Sequence, residues 1–144
     1  MPPLSASDVM EVQDIAVTLN GFAVADSYPD AAEGTDLIFA MNAPAGNKLL
    51  IAKLSVTNTG SEQRQVNTIT RNDLHYRMII NGENTQNTLV TLLTDDFSAM
   101  NETLEPGQSF DAVLIAQVSE EMAASVSSIS VEVRSDVGRA VIGE

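Results

Sequence analysis

His75 is the only histidine in the chain, so a histidine-dependent zinc site or a hydrolytic triad would have to include it. It stands in "DLHYRMII", where period-two alternation puts Leu74, Tyr76, Met78 and Ile80 on one face and His75 and Arg77 on the other. No cysteine and no second histidine joins it, and neither a G-x-S-x-G elbow nor an S-x-x-K motif occurs. His75 is therefore expected on the solvent side of a strand, without a metal or a nucleophile. Acidic residues are the remaining candidates. "DDFSAMNETLE" offers Asp95, Asp96, Asn101, Glu102 and Glu105, and "DAAEGTD" offers Asp30, Glu33 and Asp36. Oxygen ligands grouped in a loop are what calcium takes, yet neither run has the ligand and glycine spacing of an EF-hand. Solvated loop acids are the expected state, with a calcium-stabilised module as an alternative. Paired carboxylates also hydrolyse glycosides, but two Tyr, four Phe and no Trp leave little to hold a sugar. Asn101-Glu102-Thr103 is a glycosylation sequon, which matters only in a glycosylating host. Phosphate-binding glycine loops are absent. The expectation is a protein with no catalytic residue, no cofactor and no metal site.

Composition narrows the partners. Twenty acidic residues against seven Lys and Arg give a formal charge of −13, which opposes nucleic acids and anionic membranes alike. With 44% hydrophobic residues a packed core is expected, built from Leu, Ile, Val, Ala and Met because aromatics are scarce. The absence of cysteine rules out disulfides and thiolate chemistry. No apolar run reaches the ~18 residues of a membrane span. "MPPLSASDVMEVQD" lacks a basic n-region and an apolar h-region, so a cytoplasmic chain or one that follows a removed leader is expected.

The elements that must position any site are strands. "DIAVTLNGFAVAD" alternates at Ile15, Val17 and Leu19, then switches parity at Phe22 and Val24, as a bulge at Asn20-Gly21 would make it do. "GNKLLIAKLSVTNTGSE" alternates over eight residues, with Leu50, Ala52, Leu54 and Val56 on one face. Its other face is apolar only at the start, which predicts a covering segment there. Its exit, Asn58-Thr59-Gly60-Ser61, is turn chemistry, with Asx and Ser/Thr caps and a left-handed step at Gly60. "NTLVTLLTDD" is a further strand, as is "LIFAM". Asn81-Gly82 predicts a primed turn. Phe110, Ala112, Leu114, Ala116 and Val118 form one parity, and Ile129, Val131 and Val133 another against Ser130, Glu132 and Arg134. "SEEMAAS" predicts one helical turn capped by Ser119. About seven short strands and no long amphipathic helix predict one all-β domain, an immunoglobulin-like antiparallel β-sandwich over residues 14–137. Residues 1–13 read as a tail or tether and 138–144 as a C-terminal tail.

"APAGNKLLIAKLSVTNTGSE", followed some fifty residues later by "LEPGQSFDAVLIAQVSEE", resembles the bacterial secreted family of telokin-like, immunoglobulin-like sandwiches. Its members occur in lipoproteins and cell-surface proteins and many are of unknown function. The resemblance spans residues 14–134 and rests on Gly46, Lys48, Val56, Asn58 and Pro106-Gly107. It implies an extracellular or cell-surface location after removal of a signal peptide, with any lipid anchor outside this sequence. The Cys-Trp-Cys core of antibody domains is absent. The family supplies no catalytic residues. The functional expectation is a non-enzymatic binding or adaptor module with a protein partner at the cell envelope, recognising it through loops 27–36 and 95–108. A structural domain pairing through an exposed sheet edge is the alternative.

Overall fold

The computed structural model describes residues 4–28, 41–70, 72–89 and 95–143. In chain order the elements are α1 (Ala6–Met10), β1 (Ile15–Ala25), β2 (Ser27–Tyr28), β3 (Met41–Asn42), β4 (Asn47–Asn58), β5 (Arg64–Asn67), β6 (His75–Ile80) and β7 (Asn84–Asn87). A 3-10 turn at Phe97–Ala99 leads to β8 (Asn101–Leu104), β9 (Ser109–Ser119), α2 (Glu120–Ser125), β10 (Ile129–Ser135) and β11 (Gly138–Ile142).

The expected antiparallel sandwich forms from two sheets, ordered β1-β4-β9 and β11-β10-β6-β7, with small pairs β2-β3 and β5-β8 beside them. The eleven strand segments among the described residues exceed the seven anticipated, because β2, β3, β5, β7 and β8 have four residues or fewer and leave no readable period. The alternation in β4 sends Leu50, Ala52, Leu54 and Val56 into the main core, where they meet Met78, Ile80, Val131 and Val133 of the facing sheet. β1 follows one bent path: Leu19 pairs with Leu54 and Gly21 with Lys53, so Asn20 is the extra residue of a bulge. Asn81 and Gly82 both have positive φ (54° and 77°), as a primed turn requires. Ser119 caps α2 by accepting from the Met122 N–H at 3.1 Å.

The outer face of β4 is covered where it is apolar. Leu49 and Ile51 pack with Val113 and Ile115 of β9 in a second small core, closed by Ala25, Ala43 and Leu89. Leu89 bridges to Ile115. The remainder of the strand expected around residues 90–94 lies outside the described residues, as does most of "LIFAM".

Both presumed tails need correction. Ser5 and Asp8 form a reciprocal capping box that starts α1, and Val9 and Met10 are buried to 0% and 2% exposure. This single turn closes the end of the sandwich, and the Ser135 hydroxyl donates to the Val9 carbonyl at 2.7 Å. At the other terminus a tight turn at Asp136-Val137 returns the chain as β11, with Ala140 and Ile142 in the core.

Gly60 is needed for a reason other than a left-handed step. A Cβ built there would stand 2.5 Å from Asp14 Oδ2 and 2.7 Å from its Cγ. Asp14 accepts from Arg64 Nη2 at 2.9 Å, and its carbonyl accepts from the Thr59 N–H at 2.8 Å. Gly60→Ala is therefore expected to displace Asp14 and cost about 1–2 kcal/mol by overpacking, read by urea unfolding. An Asp14→Gly background should remove most of that cost, because the Asp14 Cβ itself lies 2.8 Å from the added methyl.

Candidate functional site

Antiparallel register fixes what the outer face of the four-stranded sheet presents. Arg134 of β10 lies opposite His75 of β6 on one side and Arg139 of β11 on the other. One row further along, Glu132 lies opposite Arg77, and Arg77 opposite Asn87 of β7. Three of the chain's seven Lys and Arg and its only histidine thus share one face.

Glu132 holds this face together. Sequence alternation placed it outward, which is correct, yet its residue exposure is only 2% because two guanidiniums cover it. Arg77 donates through Nε to Oε1 at 2.8 Å and through Nη2 to Oε2 at 3.3 Å. Arg139 donates through Nη1 to Oε2 at 2.8 Å. Burial on its own would raise the Glu132 carboxyl, but hydrogen bonds from Arg139 and Arg77, reinforced by their charges, hold it below the ordinary value of 4.5. A carboxyl lowered on folding contributes stability that is present above its unfolded value and lost as pH falls through its folded value. Glu132→Gln is expected to cost about 1–2 kcal/mol at pH 7, the low end for charge-assisted bonds because both guanidiniums are partly solvated. Urea unfolding should show that cost shrinking below the ordinary glutamate range; an equal cost at pH 7 and in strong acid would contradict the clamp.

Arg134 and His75 are exposed, and Arg134 makes no ion pair among the described residues. Beside them opens a cleft of about 480 Å³, lined among others by His75, Arg134, Asn87, Leu74 and Ile69. Tyr76 also lines the cleft and packs edge-on against the buried Phe97, ring centroids 5.6 Å apart.

The acidic candidates do not assemble. Asp96 is a correction: at 2% exposure it is no solvated acid but the cap of the 3-10 turn, accepting from the Ser98 N–H at 2.9 Å and its hydroxyl at 2.6 Å. Asn101 accepts from Gln65 at 2.8 Å, and Glu105 accepts from Gln63. The stretch 95–108 is not a free loop either, since Phe97, Met100 and Leu104 are buried and β8 runs through it. Among the described residues no three His, Asp or Glu side chains gather as metal ligands would. Asp30, Glu33 and Asp36 lie outside the described residues. His75 faces outward as expected; its grouping with Arg134 and, one strand further, Arg139 is not readable from the sequence, because cross-strand register is invisible to single-strand periodicity.

The molecule is thus a β-sandwich domain with one cation-rich sheet face in an otherwise strongly acidic chain. It belongs to the family described as a domain of unknown function (DUF4352), which it matches over residues 6–137. An uncharacterized β-sandwich protein from Clostridium difficile is similar in structure, with TM-score 0.54, 11% identity, and coverage of 99% of this chain and 95% of that one. A conserved hypothetical protein from Bacillus anthracis is similar at TM-score 0.52 and 11% identity, covering 99% and 96%. No curated protein matches the chain. At the level of a β-sandwich family of unknown function, the resemblance read from the sequence holds. No helix among the described residues is long and apolar enough to cross a membrane.

Proposed function

We propose that this chain is a non-enzymatic binding module of the cell envelope whose recognition surface is the outer face of the four-stranded sheet with its adjoining cleft. The observation that carries the reading is the concentration of Arg77, Arg134, Arg139 and His75 on one exposed face of a chain with a formal charge of −13. Two guanidiniums neutralise one carboxylate and the third, Arg134, adds its charge unpaired among the described residues, so that face is locally positive and Arg134 is available to a ligand. An extracellular location is supported by the sequence resemblance to secreted sandwiches, and a leader encoded upstream of Met1 is the expected genetic observation.

The test uses the isotope-labelled chain and fractionated envelope extract of its source organism. Amide shifts should concentrate at His75, Arg77, Arg134 and Arg139, and mass spectrometry should recover the bound component unaltered. Shifts confined to residues 101–108, or a chemically altered component, would overturn the reading.

A second reading rests on β1. Among the described residues it is a sheet edge, eleven residues long with no charged residue and no proline, and it flanks a groove of about 610 Å³ shared with β11. Such an edge accepts an added strand from a second copy of the chain. Sedimentation showing a monomer at high protein concentration would dismiss it.

A further inference from the structure

Resting on that binding reading, we propose that the occupant of the face is a small molecule carrying two carboxylates. The row Arg139–Arg134–His75 crosses three adjacent strands, so neighbouring positions lie ~4.8 Å apart, the separation of hydrogen-bonded strands. Two carboxylates three carbons apart are separated by about 5 Å in an extended chain of ordinary bond lengths, and so reach two members of the row together. A guanidinium meets one carboxylate with two parallel N–H donors. Arg134 is free to do this among the described residues, with His75 and Arg139 on either side.

The charges around the row are few. Glu132 is neutralised by Arg77 and Arg139, of which it engages only Nη1 in the latter. Asp73 and Asp136 sit just beyond the strand ends, and β7 contributes only Asn84, Thr85, Gln86 and Asn87. Donors spread across neighbouring strands favour two separated charges over one compact phosphate, which is best held by donors converging on a point.

Net charge sets the size of the ligand. A polyanion extending past the face meets the field of a −13 chain, since screening acts only beyond about 8 Å. A small dianion stays within the face. The cleft beside His75, about 480 Å³, lies in the size range of small-ligand sites and receives the remaining atoms, with Leu74 and Ile69 as apolar contacts.

The test titrates glutarate into the isotope-labelled full chain at low ionic strength, with inorganic phosphate and acetate as separate arms at matched ionic strength. Saturable shifts at His75, Arg134 and Arg139 are expected, with glutarate binding tighter than either comparator. Arg134→Gln, which removes no ion pair of the fold, should weaken glutarate about tenfold, the loss of one charge-assisted fork. Lys53→Gln, on the opposite sheet, should leave it unchanged. Phosphate binding as tightly as glutarate, or an Arg134→Gln chain binding like the parent, would overturn the proposal. If envelope extract marks the face while glutarate does not, the ligand class is wrong and the binding face stands; if neither marks it, both fall.

Discussion

Deleting residues 1–12 is expected to lower stability by about 5 kcal/mol, the full burial of Val9 and Met10 being worth about 1.5–3 kcal/mol each, with Ala6 adding less. The three residues are 0%, 2% and 6% exposed, and they contact both sheets at the end of the sandwich. Deletion also strips the Ser135 hydroxyl of its buried acceptor, the Val9 carbonyl. Against a typical total of about 5–15 kcal/mol, the truncated chain should be barely folded at 25 °C. Chemical denaturation of the two chains checks this. A loss below about 1 kcal/mol would mean that the segment is a tether after all and that the sheets close without it.

Asn58→Ala should cost about 3 kcal/mol, since each buried polar group left without a partner costs about 1–3 kcal/mol. The Asn58 side chain is fully buried and satisfied at both ends. Nδ2 donates to the Leu104 carbonyl at 3.0 Å and the Glu62 carbonyl at 2.7 Å, while Oδ1 accepts from the Gly60 N–H at 2.9 Å. One amide therefore ties the end of β4 to β8 and shapes the turn that brings Gly60 against Asp14. Asn58→Asp keeps the acceptor and loses the donor, so it separates the two contributions. Its urea midpoint should fall nearly as far as that of Asn58→Ala, because the Leu104 carbonyl is still stranded. A midpoint close to the parent's would show that water replaces the donor and that the turn, not the tie to β8, matters.

The sandwich was legible because its long strands carry clean period-two alternation: β4, β6, β9 and β10 each send the anticipated residues inward. The parity switch at Asn20-Gly21 marked the bulge in β1 for the same reason. Periodicity failed where elements were too short to show a period. α1 has five residues behind two prolines, yet Ser5-Ala6-Ser7-Asp8 ahead of Val9 and Met10 is a capping-box signal that could have found it. β11 follows a two-residue turn, and Ala140 and Ile142 alternate with Arg139 and Val141, but five residues at a terminus suggested a tail. The site was the least legible feature. Alternation placed His75, Arg77, Glu132 and Arg134 outward, but only the pairing of β6, β10 and β11 brings them and Arg139 together from segments some sixty residues apart. The acidic runs drew attention by local density, and the fold instead spends Asp96 on a cap.

The binding face is tested most directly by a crystal structure of the chain in complex with glutarate. It should place the two carboxylates across the Arg139–Arg134–His75 row, with oxygens about 2.7–2.9 Å from guanidinium nitrogens and the carbon chain entering the cleft beside Leu74. A ligand seated elsewhere, such as the groove between β1 and β11, with Arg134 untouched, would contradict the account.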